Sequence, residues 1–339
     1  WVVGGYKIYL AGSHTLYQKI KAAYQDKGLR NFDYHFMSGV YEHDFEVEEA
    51  TFDTLPAVKE SSVPAGGHLE GNRIGFDAGG SDRKVSAVVD GKTIYSEEVV
   101  WFPKTNEDPK YHYDGIYTAM KTAAEKMGNK IDAIGVSSAG VYIDNKIMVA
   151  SLFVKVPKDL FEKHVKYMYI DIAKQLEKEV GHPIPLEVAN DGDVTALAGA
   201  MELKDTNVLG IAMGTSEAAG YVDSNGNLTG WLNELAFVPV DFNKDAMVDE
   251  WSVDYGCGVK YFSQDSVIKL APAANIELDP SLSPAEKLKV VQKLSEQDDP
   301  RAHQIYETIG VYLGYAIAYY SVFYSIKHIL LLGRVTSGK

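Results

Sequence analysis

Residues 71–91 read GNRIGFDAGGSDRKVSAVVDG, and the reading of this stretch decides the fold. Arg73 to Asp77 has the apolar alternation of a strand, and Val85 to Asp90 has it again. Between them the chain places a carboxylate, two glycines and a serine. A plain glycine turn would produce that pattern, and so would a phosphate-binding hairpin. In the second case Gly79 and Gly80 let backbone N–H groups approach an anion without a side chain in the way. Ser81 adds a hydroxyl donor, and Asp77 at the strand end is placed to hold Mg²⁺ through water.

A second stretch argues for the hairpin that binds. VLGIAMGTSEAAGYVDSNG, residues 208–226, has the same strand–glycine–polar–strand layout as residues 73–91. Gly80 and Gly214 lie about 134 residues apart, the mark of an internal duplication. No Gly-Lys-Ser/Thr precedes a helix, so neither loop is a Walker A. Both glycine runs lead into strands rather than helices, so neither is a dinucleotide fingerprint. Two matched hairpins can grip the two ends of a nucleotide triphosphate, with Gly214, Thr215 and Ser216 forming the second.

The 339 residues are 46% hydrophobic and 24% charged, close to the globular average, and the length predicts two domains. Asp and Glu (47) outnumber Lys and Arg (33), for a net charge of −14. That balance argues against nucleic acid as a partner, since phosphate-backbone contacts need clustered Lys and Arg. Cys257 is the single cysteine, which excludes an internal disulfide and fits a reducing, cytoplasmic setting. The most apolar stretch, 309–333, carries Lys327, His328 and many tyrosines. A buried helix leading into a strand is expected there rather than a membrane span. The chain starts at Trp1 rather than a methionine, as a trimmed sequence would.

Along the chain, strands are predicted at 2–10, 73–77, 85–90, 92–100, 131–136, 186–189, 207–212, 221–223 and 328–332. Helices are predicted at 15–24, 115–127, 158–180, 284–296 and 301–324, with Ser283 as N-cap and Pro284 at the first helical position of the fourth. Residues 42–49 read as an acidic stretch, SSVPAGG (61–67) as a linker, and SNGN (224–227) as a hairpin turn. The segment LEVANDGDVTALAGA, 186–200, is a short strand, then Asn-Asp, then a small-residue helix. A strand-end Asp191 can take the proton of an attacking hydroxyl, the acid–base step that phosphoryl transfer needs. Taken alone, NDGD is more often a cap-and-turn, with Asp193 as a helix cap.

Seven motifs in order and spacing resemble the ROK family of sugar kinases and related regulators. They are FDAGGS (76–81), GVSSAGV (135–141), ANDGD (189–193), AMGTSEAAG (212–220), NELAF (233–237), YGCGVKYFS (255–263) and ILLLGRVTSG (329–338). The resemblance covers 71–339. It implies an α/β, duplicated ribonuclease-H-like (actin/hexokinase-type) fold of two lobes, with the ATP cleft between them. The implied domains are an N-terminal extension of unknown role (1–70), a first lobe (71–195) and a second lobe (196–339), the last short of a further helix.

Carried over, the resemblance implies that Asp77, Gly79, Gly80, Ser81, Gly214, Thr215, Ser216 and Gly333 serve ATP and Mg²⁺. It also implies Asp191 as catalytic base, and Asn190, Glu234, Ser138, Gly140 and Ser151 on the sugar side. Five departures stand out. Phe237 occupies the position of a family histidine that contacts sugar and zinc, and an apolar wall there fits a deoxy or acylated sugar. The zinc motif keeps one thiol, Cys257, which cannot build a tetrahedral site, so no zinc is expected. Gln264 and Ser151 replace two further polar partners, and Asp82 stands where the family places a lysine.

The leading expectation is an ATP-dependent sugar kinase, with a small-molecule sugar as substrate, no nucleic-acid or membrane partner, and a homodimer as the assembly. The alternative is a non-catalytic sugar-binding regulator. Family repressors carry an N-terminal helix-turn-helix, whereas residues 1–70 are acidic and strand-bearing, against DNA binding. Another enzyme of the superfold, such as a carboxylate kinase or an ATP-driven activator, is the third class; an activator needs cluster-binding cysteines.

Overall fold

The computed structural model describes residues 1–59, 62–64 and 66–337; Ser61 and Ala65 of the expected linker and Gly338 of the last motif lie outside them. The chain forms two compact units, residues 66–194 and residues 1–65 together with 195–339. The N-terminal segment therefore belongs to the second unit.

That segment is a β-α-α-β element. Strand β1 (Lys7–Ala11) is followed by helices α1 (His14–Ala23) and α2 (Asn31–Tyr41) and by β2 (Glu46–Ala50). β1 and β2 pair in parallel, and Lys7 bridges Glu46 at 2.8 Å and Glu48 at 2.6 Å. A parallel pair needs a crossover, which α1 and α2 supply. The second half of the acidic stretch is thus a strand, two of whose charges face a lysine opposite. Arg30 ties the segment to the rest of its unit: its guanidinium donates to Asp33 (2.6 Å) and to Asp254 (2.7 Å). Strand β3 (Ser62–Val63) falls within the expected linker.

The first unit is built on β4 (Asn72–Ala78), β5 (Asp82–Val89), β6 (Lys92–Val100), helix α3 (Pro109–Lys126), β7 (Ala133–Ser138), β8 (Val141–Ile143) and β9 (Lys146–Val149). The helical turn α4 (Lys158–Leu160), a π-helical stretch (Phe161–Val165) and helix α5 (Met168–Val180) follow, so the expected helix 158–180 is interrupted. Strand β10 (Leu186–Asn190) then leads into helix α6 (Asp191–Leu203). The five-stranded sheet runs β10-β7-β4-β5-β6, with β4, β7 and β10 parallel and the β4-β5-β6 meander antiparallel. Alternation along β4 buries Ile74, Phe76 and Ala78 with Ile116, Ala119, Met120 and Ala123 of α3.

The second unit repeats the order. β11 (Val208–Met213), β12 (Glu217–Val222) and β13 (Leu228–Thr229) precede α7 (Gln264–Leu270), α8 (Pro284–Glu296), α9 (Pro300–Tyr320) and β14 (His328–Leu332). Its sheet runs β14-β11-β12-β13-β3. In each unit the strand before the glycine loop pairs antiparallel with the strand after it, and in parallel with a strand that follows the long helix. The duplication is therefore one of topology as well as motif. Helices α3 and α9 hold equivalent places and start alike, with Asp108 and Asp299 as N-caps and proline at the first helical position. Ser283 caps α8 in a reciprocal box with Glu286, as its sequence predicts. Among the described residues no helix is long and apolar enough to cross a membrane.

Candidate active site

In the first unit, parallel strands end side by side. Across β4, β7 and β10, Asp77 aligns with Ser137 and Ala189, and Ala78 with Ser138 and Asn190. The carboxyl ends of parallel strands are where α/β sheets gather their ligands. The Asn190 amide donates to the Gly140 carbonyl at 2.8 Å, while its oxygen accepts from Gly192 N–H at 2.7 Å, capping α6. Gly140 has φ +144, and a Cβ there would lie 2.3 Å from the Val149 carbonyl, so no other residue fits. Ser138 is fully buried, and Ser151 is exposed on a short 3₁₀ turn.

Asp191 is the first residue of α6, and its carboxylate accepts from Gly192 N–H at 3.1 Å. Burial raises its pKa, and nearby Asp77 adds to the rise against the opposing Gly192 hydrogen bond. Burial also raises the pKa of Asp77; Lys84, 4.0 Å away, opposes the shift, while Asp82 adds to it. A carboxylate moved upward toward neutral pH is a better proton acceptor than a solvated one. NDGD serves as the cap and turn that opens α6.

The first glycine loop is exposed at Gly80 and Ser81. The Ser81 hydroxyl donates to Asp82 at 2.9 Å, and Lys84 sits 3.1 Å from the same carboxylate. Lys84 therefore offsets the acid that stands beside the loop. Two residues that sequence reasoning missed hold the loop from outside. Trp101, buried, donates its indole N–H to Gly79 O at 2.7 Å and its amide N–H to Ser81 O at 3.1 Å. Lys104 lies against Gly80. No local motif marks either one, because the contact is made by a chain segment some twenty residues on.

In the second unit, Gly214 N–H donates to Ser216 O, and Gly214 O accepts from Gln264 N–H, both at 2.9 Å. Thr215 and Ser216 are exposed at the tip. Gly333, with φ +99, packs on this loop's strand; a Cβ would come within 2.4 Å of the Met213 carbonyl. Glu217 follows the loop at 3% exposure, and neither of its carboxyl oxygens has a hydrogen-bond partner. Burial, helped by Glu234, pushes its pKa up to about 8, so the group is protonated at neutral pH.

Phe237 lines no open wall. It is 7% exposed and its ring lies 4.6 Å from Trp1, 5.9 Å from Phe32 and 5.3 Å from Trp251. The N-terminal segment covers it, so the apolar side chain answers to packing by residues 1–36 rather than to a substrate. Cys257 is likewise buried, its thiol facing the Asp254 carbonyl at 3.8 Å, and burial raises its pKa to about 11. The neighbouring turn is held by Lys260, 2% exposed, whose ammonium reaches Glu250, Asp265 (2.8 Å) and Asp249 (3.7 Å). Lys260→Ala would strand these acids and should cost about 3 kcal/mol, measured as a lowered Tm. An unchanged Tm would mean the network contributes nothing.

The comparisons agree with this topology. A hexokinase of the ROK family from Thermus thermophilus superposes with a TM-score of 0.58 at 18% identity, covering 79% of this chain and 84% of the other. A ROK family glucokinase from Streptomyces griseus, solved with glucose and AMPPNP, gives 0.53 at 19% over 78% and 83%. A ROK family transcriptional regulator, homologous to the E. coli MLC protein, gives 0.56 at 16% over 78% and 65%. No curated protein matches the sequence. The fold is therefore the duplicated, hexokinase-type α/β fold of these neighbours. The ROK family model matches residues 73–338, through both glycine loops and the Asp191 turn, and the chain belongs to the ROK family.

Proposed function

We propose that the protein is an ATP- and Mg²⁺-dependent sugar kinase that transfers the γ-phosphate to a sugar hydroxyl, with Asp191 as general base. The observation that carries this reading is the half-buried carboxylate of Asp191, raised in pKa and close to Asp77, which precedes the first glycine loop.

Gly79, Gly80 and Ser81 of one loop, and Gly214, Thr215 and Ser216 of the other with Gly333, are assigned to the phosphates. Their fit rests on steric room: the loop tips are exposed, and at Gly80 and Gly333 a Cβ would meet neighbouring atoms within 3.0 Å. Asp77, a half-buried carboxylate at a strand end, suits a water-mediated Mg²⁺. When bound, ATP supplies the phosphoryl group and Mg²⁺ neutralises charge on its oxygens. The protein's work is to orient the sugar and to take one proton. Asn190 and Glu234 hold sugar hydroxyls, with Gly140 fixing Asn190 through its carbonyl. Asp191 accepts the proton of the attacking hydroxyl as the new O–P bond forms.

Both glucokinase and regulator stand among the structural neighbours. A panel of hexoses and amino sugars, assayed by coupled ADP release with ATP and Mg²⁺, separates the two readings. Sugar-dependent ADP release is expected for at least one member. Sugar binding by calorimetry with no ADP release from any would favour the regulator.

A further inference from the structure

Lys104 lies against the first glycine loop, and nothing in the motifs singles it out. It sits in the turn Pro103–Thr105 that follows β6. Its stem crosses Gly80 so closely that a Cβ on that glycine would lie 2.9 Å from Lys104 Cε and 3.0 Å from Nζ. The absence of a side chain at position 80 is therefore what lets the ammonium reach the loop.

The turn is built to keep it there. Trp101 fastens the segment to the loop through Gly79 O and Ser81 O. The Phe102 carbonyl accepts from the Asn106 amide at 2.7 Å and the Thr105 hydroxyl at 3.1 Å. His112, fully buried, sets its Nε2 2.9 Å from the Pro103 carbonyl. Four side chains thus position one lysine against one glycine. Among the described residues the Lys104 ammonium has no ion-pair partner.

Charge arithmetic shows why it is needed. Around the loop stand two carboxylates, Asp77 and Asp82, and two cations: Lys84, which lies 3.1 Å from Asp82 and 4.0 Å from Asp77, and Arg83, whose Nε donates to the Gly115 carbonyl at 3.0 Å. Lys84 is therefore engaged by the carboxylates and Arg83 by a backbone carbonyl, and the charges cancel. A polyphosphate carrying several negative charges would gain no net attraction from these side chains. One free ammonium on a turn fixed to the loop tips that balance positive at the place where the backbone would meet phosphate.

We propose that Lys104 contacts the nucleotide's phosphates, supplying in space, from the turn after β6, the cation that Asp82 displaces from the loop. The proposal rests on the kinase reading, and its test separates the two. The probe is AMPPNP with Mg²⁺, titrated calorimetrically into the full chain.

Lys104→Gln should weaken binding 10- to 100-fold and flatten its salt dependence, while Lys104→Arg stays within a few-fold of the parent. Sugar affinity and Tm should not move in either. If the parent binds AMPPNP and Lys104→Gln binds it equally well, the lysine's role is overturned and the nucleotide site stands. If the parent binds no AMPPNP, both fall together.

Discussion

Asp191→Asn should lower kcat by about 10³-fold while leaving the dissociation constants for sugar and AMPPNP within a few-fold of the parent. The asparagine keeps the volume and an oxygen that can accept from Gly192 N–H, so α6 keeps its first turn. What it cannot do is take a proton. The parent's pH profile provides a second readout. Burial and the nearby Asp77 raise the Asp191 pKa, so the acid limb of kcat/KM should fall above the usual carboxylate range. An Asp191→Asn enzyme with parental kcat would remove the base from the mechanism.

Glu217→Gln should stabilise the protein increasingly as pH rises. The folded-state pKa, about 8, lies above the ordinary value of 4.5 because the side chain is buried without partners. Below pH 4.5 the carboxyl is protonated in both folded and unfolded chains and its ionisation costs nothing. Between 4.5 and about 8 the unfolded chain releases the proton and the folded one keeps it, so stability is lost as pH rises through this window. Each pH unit inside it costs up to about 1.4 kcal/mol. The Tm of the variant should therefore pull ahead of the parent between pH 5 and pH 8, by an amount equivalent to several kcal/mol on the order of 1.4 per unit. Parallel Tm-against-pH curves would show that Glu217 ionises normally.

The parts of the fold that could be read from sequence are those where the signal is local. Apolar alternation marks β4 and β5, and glycines mark the loops. The Ser283-Pro284 pair places the start of α8 at the residue where the structure has it. The duplication was readable because each copy carries its own strand–glycine–strand signature, and the sheet orders repeat it. Unread elements depend on partners distant in sequence. β2 looks like a run of acids until Lys7 of β1 is set beside it. β3 is two residues that count as a strand only because β13 lies alongside.

The same distinction holds at the site. Asp77, Asp191 and the glycine loops announce themselves by residue type at a strand end. Phe237 invites a substrate explanation from sequence, yet the rings of Trp1 and Phe32 account for it. Trp101 and Lys104 act on a loop more than twenty residues before them, and only the folded chain brings them there. Glu217 reads as one more polar residue after a glycine loop. Its burial beside Glu234 gives it a separate chemistry.

The central claim is transfer of a phosphoryl group to a sugar, and the product tests it most directly. Phosphorus NMR of the full chain incubated with ATP, Mg²⁺ and the sugar that gives the fastest ADP release should show a sugar-phosphate ester growing in step with ADP. Asp191→Asn should show neither at a comparable rate. ADP accompanied by inorganic phosphate alone, or a bound sugar that never acquires phosphate, would contradict the account.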